Sequence, residues 1–178
     1  PARFQGARAS SFAMPQDPVT PAKVRPAPTA AARPRKAGCT RTPSATPLLT
    51  PEAIQRMKAH GVTRLAISLD HYKREDHDNF RRVPGSFDLT IRAIEAAAEQ
   101  NIPVQINSTV SKRTAADMPK LAALLSRYPN IVMWSVFFLV PTGRAKSEDM
   151  ILPEEVETLF GDLHTISKNV PFNVRTTE

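Results

Sequence analysis

The chain has 178 residues, with 24 Lys and Arg side chains against 17 Asp and Glu side chains, which gives a formal net charge of +7. Residues 1–47 contain eight of the basic residues and one acidic residue, whereas residues 48–178 contain 16 of each, so the net charge belongs to the first quarter of the chain. One cysteine excludes an internal disulfide framework and a zinc site built from several cysteines, and no apolar run approaches the roughly 18 residues needed to cross a bilayer. Since a signal-peptide pattern is also absent, these features predict a cytoplasmic protein without a membrane partner.

Residues 1–47 are predicted to be a disordered basic segment rich in proline, alanine and arginine. They hold nine of the 17 prolines, and each proline removes a backbone donor and disfavours helix in the residue before it. Periodic apolar residues, which a core requires, are missing. Two interpretations stay open: a basic arm that binds nucleic acid, or a linker, including one translated from GC-rich DNA outside its natural frame. The linker is favoured because no aromatic platform for bases accompanies the dispersed charges.

Residues 48–178 are predicted to alternate between helices and strands. Thr50, Pro51 and Glu52 are typical of a helix start, and Gly61 is placed to end that helix in a left-handed cap. Residues 63–70 then alternate apolar and polar, which predicts a strand. The further predicted elements are a helix over 86–100 with Ser86 as its N-cap, a strand over 102–110, a helix over 116–128, a strand over 131–140, a helix over 153–168 and a strand from 172.

This alternation favours βαβ units and a parallel sheet, hence an α/β fold, in which ligands bind at the carboxyl ends of the strands. Ser68 and Asp70 end the first of these strands and are predicted to share a face. Asn107 lies near the end of the next strand. Arg144 follows a Pro-Thr-Gly turn after the third strand, where it is either an anion contact or an exposed loop charge.

Four segments in this order and spacing carry a family resemblance: RLAISLD, HDNFRRVPGSFDLTIRAI, PVQINSTV and WSVFFLVPTGRA. Over about residues 42–178 the chain resembles the radical S-adenosylmethionine (radical SAM) enzymes, in particular the branch with a C-terminal SPASM or twitch extension that modifies peptides, haems and quinone cofactors. The resemblance implies a partial (β/α) barrel over residues 48–178, S-adenosylmethionine (SAM), and a [4Fe–4S] cluster held by a CxxxCxxC loop. It also implies an external electron donor and a peptide, haem or cofactor precursor as substrate.

The resemblance further implies which residues contact the cofactor. Ser68 matches the serine that approaches the ribose or the amino-acid end of SAM, and Asp70 matches the acid beside it. Arg81 is a candidate for the SAM carboxylate, Asn107 matches the polar residue on the following strand, and Leu139 lies where a backbone contact to adenine is expected. The residues alone leave structural alternatives open: a strand-end serine, a helix-capping aspartate, a solvated arginine and a core amide.

The chain departs from the family pattern at the cluster. The CxxxCxxC motif is absent, and the single cysteine, Cys39, stands before the wrong strand in the segment predicted to be disordered. The Gly-rich segment that usually meets the SAM amino group and the C-terminal extension are also missing, while His71 and Arg82 stand where glycines are common. No catalytic residue or metal ligand is assigned, since His71 and His77 lack metal-ligand spacing and are expected at the surface.

These departures predict a truncated radical SAM protein that is inactive as it stands. One alternative is a non-catalytic binding module whose basic tail engages nucleic acid. Another is an aldolase-like half barrel with an anion at Arg144. Against this second alternative, no lysine ends a predicted strand where a Schiff base would need it.

Overall fold

A computed structural model describes residues 38–143 and 145–177. It contains a sheet of five strands that pair in chain order, and every neighbouring pair is parallel. This order, with helices between the strands, is that of a partial (β/α) barrel and confirms the predicted α/β fold class. The strands are β1 (Cys39–Arg41), β2 (Val62–Ser68), β3 (Val104–Val110), β4 (Ile131–Phe138) and β5 (Asn173–Thr177).

Most helices begin and end close to the predicted positions. The hydroxyl of Thr50 accepts a hydrogen bond from the Ala53 N–H at 3.2 Å at the start of the first helix, and Gly61 follows that helix with a φ of +87°. None of the helices in the described ranges is long and apolar enough to span a membrane. The helices are α1 (Pro51–Ala59), α2 (Arg74–Arg81), α3 (Ser86–Glu99), α4 (Met118–Leu125) and α5 (Pro153–Asn169), with short 3-10 turns at Ala115–Asp117 and Ser147–Asp149.

The sheet begins earlier in the chain than expected. Strand β1 falls within the segment predicted to be disordered, yet it pairs with β2, with Arg41 opposite Leu65. The prediction was wrong at these residues because a three-residue strand at the edge of a sheet carries no apolar periodicity, and its pairing uses backbone groups. Two of its three side chains are exposed. The prediction for residues 1–37 lies outside the described residues.

Helix α2 was not predicted, because it has no apolar stripe and only His77 is buried. Polar contacts attach it to α3. The carboxylate of Asp78 accepts hydrogen bonds from the Gly85 N–H at 2.7 Å, the Ser86 hydroxyl at 2.9 Å and the Phe87 N–H at 2.8 Å. The prediction that Ser86 is the N-cap of α3 was therefore wrong. Gly85 occupies that position in a left-handed conformation, and Asp78 supplies the capping oxygens.

The apolar core lies between the helices and one side of the sheet. Leu65 and Ile67 of β2 stand in register with Val104 and Ile106 of β3, and all four side chains are fully buried. Burial of each such side chain contributes roughly 1.5–3 kcal/mol relative to exposure. The same side of the sheet packs against apolar residues of α3, α4 and α5, among them Ile94, Leu121, Leu125, Leu159 and Leu163.

A chain of hydrogen bonds crosses this core. The fully buried Trp134 of β4 donates its Nε1–H to the hydroxyl of Ser108 on β3 at 2.8 Å, and that hydroxyl donates to the carbonyl of Leu69 just after β2. These two hydrogen bonds therefore satisfy the polar atoms of an indole and a hydroxyl that would otherwise be unpaired inside the protein.

The opposite side of the sheet is polar. Strand register places Ser68 opposite Asn107, Asn107 opposite Ser135, and Ser135 opposite Arg175. Because residues in register on neighbouring parallel strands share a face, these four residues form one line across four strands. We call this set the inner-face row.

Candidate functional site

The inner-face row presents hydrogen-bonding groups of several kinds. Ser68 and Asn107 are half-buried, Ser135 is buried and Arg175 is exposed. Gln105, two residues before Asn107, donates from Nε2 to Asn107 Oδ1 at 2.9 Å and to Ser135 Oγ at 3.2 Å. Since Asn107 Oδ1 is occupied, its amide nitrogen remains to donate to a ligand. A hydroxyl, an amide and a guanidinium in one row are suited to ribose hydroxyls and a carboxylate, which are groups that SAM carries.

The structure brings Asp70 and Arg81 together, and their side chains pair with each other. The Asp70 side chain is fully buried; its Oδ1 accepts the Thr109 N–H at 2.8 Å and its Oδ2 accepts Arg81 Nε–H at 2.5 Å. The carboxylate thus ties α2 to the ends of β2 and β3, which favours the structural alternative for Asp70. The Arg81 side chain is 36% exposed, so only the rest of its guanidinium could meet the carboxylate of SAM.

His77 is buried behind this pair, which corrects the expectation that it lies at the surface. Its Nδ1 accepts the Asp70 N–H at 3.1 Å, which assigns the ring proton to Nε2, and its ring meets Phe87 edge-on. Burial lowers the pKa of His77, and the negative charge of Asp70 opposes this only in part. A neutral His77 therefore supports the loop that follows β2 rather than acting as a charged group.

His71, also expected at the surface, is buried as well. Its Nδ1 accepts the Lys73 N–H at 3.0 Å, so its Nε2–H donates to Asp117 Oδ2 at 3.1 Å. Lys120 binds the other oxygen of that carboxylate at 2.8 Å. The hydrogen bond from Lys120 is the main influence that lowers the pKa of Asp117; burial opposes it and His71 lowers it further. His71 thus joins the loop after β2 to the turn before α4.

Leu139 continues β4 toward the loop that follows it. Its N–H donates to the Val110 carbonyl at 3.0 Å, so this N–H is not available to adenine. A backbone contact between adenine and the Leu139 carbonyl stays a prediction. Leu139 also lines a cavity of about 510 Å³ at the carboxyl edge of the sheet, together with Phe80, Arg82, Arg113 and Lys146. We call this space the rim cavity. The predicted anion contact at Arg144 lies outside the described residues.

The residues present suit SAM better than they suit a [4Fe–4S] cluster. In the part of the chain that the structure describes, no group of three or more His, Cys, Asp and Glu side chains could hold a metal ion. The 178 residues contain a single cysteine, the unpaired Cys39 of β1, and three thiolates are needed for a cluster of this type. The inner-face row, by contrast, offers hydroxyl, amide and guanidinium groups, which can bond ribose hydroxyls and a carboxylate.

Comparisons with known proteins agree with this fold. The AdoMet-dependent heme synthase of Methanosarcina barkeri is 38% identical over 130 residues, which cover 73% of this chain and 37% of that protein. The Fe-coproporphyrin III synthase of the same organism is 28% identical over 109 residues, which cover 60% of this chain and 27% of that protein. The match therefore spans little more than a third of the length of the first of these curated relatives and about a quarter of the second.

A structure of Streptococcus suis SuiB bound to S-adenosylmethionine superposes with a TM-score of 0.61 and 16% sequence identity, over 78% of this chain and 32% of that one. The family model of the Radical SAM superfamily matches residues 25–125. Because this match takes in more than half of the chain, and because the sheet has the fold of a SAM-bound neighbour, the chain belongs to the radical SAM superfamily, whose members use SAM and a [4Fe–4S] cluster.

Proposed function

We propose that the chain forms a SAM-binding part of a radical SAM barrel that acts on a haem precursor. We also propose that the chain does not cleave SAM reductively by itself. The inner-face row carries the proposal, since it sets polar groups on one face at the carboxyl half of the sheet. Similarity to a heme synthase and to a coproporphyrin synthase supports a haem precursor over a peptide or another cofactor precursor.

The chain's own residues would bind and orient SAM. In this proposal the Ser68 hydroxyl and the Asn107 amide hold ribose hydroxyls, and Arg175 pairs with the carboxylate at the amino-acid end. Gln105 fixes the orientation of the Asn107 amide through its hydrogen bond to Oδ1. When a reduced [4Fe–4S] cluster is present, SAM supplies the radical chemistry of the family. An external electron donor and a cytoplasmic location belong to the same proposal.

Equilibrium dialysis with radiolabelled SAM tests the binding role. Asn107→Ala should weaken SAM binding about three- to tenfold, as expected for the loss of one or two hydrogen bonds. Asn169→Ala is the matched control, because Asn169 is exposed at the end of α5 and bonds only to the Thr165 carbonyl of its own helix. Equal affinities of the two variants would contradict the assignment of the inner-face row to SAM.

The absence of reductive cleavage has its own test. After anaerobic iron–sulfur reconstitution with a chemical reductant, the 178-residue chain should release no 5′-deoxyadenosine from SAM, because one cysteine cannot supply three thiolates. The Methanosarcina barkeri heme synthase, treated identically, serves as the positive control. Release of 5′-deoxyadenosine by the chain, at a rate above that of reagents without protein, would overturn this part of the proposal.

A further inference from the structure

Arg82 holds an unusual backbone conformation at the C-terminus of α2. Its φ and ψ are +56° and +35°, the left-handed region that disfavours residues with a Cβ. In the described part of the chain Asn101 is the other non-glycine residue with positive φ, and Asn tolerates this region through its short polar side chain whereas Arg gains nothing from it. Glycine would adopt the same turn without strain. An arginine in a strained backbone conformation points to a use for its side chain.

Arg82, an exposed residue, lines the rim cavity, and so do two other basic residues. Arg113 comes from the loop after β3 and Lys146 from the loop after β4. The cavity also contains one carboxylate, that of Asp149, which binds Arg113 at 3.0 Å. Lys146 meets the exposed Glu148 at 3.1 Å. Within residues 38–143 and 145–177, no carboxylate lies within ion-pair distance of Arg82, so the cavity keeps an excess of positive charge.

The remaining wall of the rim cavity is partly apolar. Phe80 and Leu139 contribute apolar surface beside the three cations. Such a combination accommodates a ligand with an apolar body and an ionised acidic arm, since the arm meets guanidinium groups while the body leaves water. No member of the inner-face row lines the cavity, and the carboxyl edge of a parallel sheet is where ligands reach such folds.

We propose that the rim cavity binds a carboxylate arm of an apolar substrate, and that Arg82 is a specificity-determining residue for that arm. The inference rests on the proposed function, because it assigns part of a haem precursor to a place in this chain.

Binding of iron coproporphyrin III to the full chain, followed by the change in Soret absorbance, provides the test, because this porphyrin carries four carboxylate arms. Arg82→Gly should weaken binding about tenfold, Arg82→Lys should restore most of the affinity, and Arg127→Ala, at an exposed arginine beyond α4, should leave it unchanged. The tetramethyl ester of the porphyrin should bind the parent chain at least as weakly as the acid binds the glycine variant. In urea unfolding, Arg82→Gly should be no less stable than the parent, since glycine relieves the left-handed strain.

Unchanged porphyrin affinity in Arg82→Gly, or equal affinity for acid and ester, would overturn the inference. Displacement of the porphyrin by millimolar inorganic phosphate would assign the cavity to phosphate and overturn it as well. SAM dialysis with the same variant separates the two proposals. Loss of SAM binding in Arg82→Gly with unchanged porphyrin binding would give the cavity to SAM, whereas a parent chain that binds porphyrin through Arg82 but does not bind SAM would refute the proposed function alone.

Discussion

Asp70→Ala removes the carboxylate that joins α2 to the ends of two strands. The parent side chain is fully buried and accepts two hydrogen bonds, from the Thr109 N–H and from Arg81 Nε–H. An unsatisfied backbone N–H costs about 1–3 kcal/mol, and a hydrogen bond to a charged group contributes about 1.5–3 kcal/mol. Because Arg81 is 36% exposed and can regain water, the expected loss is about 3 kcal/mol, at the lower end for a broken buried ion pair.

Urea unfolding followed by tryptophan fluorescence measures this loss, because Trp134 is the single tryptophan of the chain and is fully buried. Asp88→Ala is the matched control. Asp88 pairs with Arg74 at 2.8 Å, but the Arg74 side chain is 63% exposed, so the control should lose about 1 kcal/mol or less. A loss below about 1 kcal/mol for Asp70→Ala, or one equal to that of the control, would refute the reasoning.

Three further predictions concern stability. Because burial lowers the pKa of His77 from its ordinary 6.5, the unfolded chain binds a proton that the folded chain does not, so the free energy of unfolding should fall as the pH drops below about 6.5. His77→Asn should flatten this fall in urea titrations, and an unchanged slope would contradict the assignment. Ser108→Ala leaves the Trp134 Nε1–H without its acceptor in the core and should cost about 1–3 kcal/mol by thermal unfolding. Ser126→Ala, at an exposed residue whose hydroxyl bonds to the Ala122 carbonyl of α4, should cost little. Burial is the largest single influence on the pKa of Asp78 and raises it, but the three hydrogen bonds it accepts outweigh burial and hold the pKa below the ordinary 3.8. Asp78→Ala should therefore cost about 1–2 kcal/mol near pH 7, a contribution that is lost as the pH falls through the lowered value, and a persistent difference between variant and parent in strong acid would argue against it.

Regular elements with strong apolar patterns were predictable from the sequence. Strand β2 followed from the alternation of apolar residues around Ile67, and α3 followed from its apolar stripe. Helix α2 was not predictable, because its attachment depends on carboxylates that reach groups elsewhere in the chain. Asp78, for example, accepts a hydrogen bond from the Phe87 N–H at the start of α3. Strand β1 was not predicted for a related reason, since pairing with β2, rather than the pattern of its own residues, determines that it forms.

The candidate site was predictable only along each strand. Alternation predicted that Ser68 and Asp70 share a face and placed Asn107 near the end of the next strand. Which residues of β4 and β5 complete the row depends on register, which tertiary pairing decides. Ser135 and Arg175 were missed on this account. The pairing of Asp70 with Arg81 was missed because it spans a helix that was itself not predicted.

The order of the strands also affects how the protein is made. Each strand pairs with the strand that follows it along the chain, so contacts in the sheet join residues that leave the ribosome within a few seconds of one another. Pairing of this kind keeps loop-closure costs low and favours assembly one strand–helix unit at a time. In the inner-face row Ser68 is synthesised first and Arg175 last, and the row is therefore complete only after β5 has been translated.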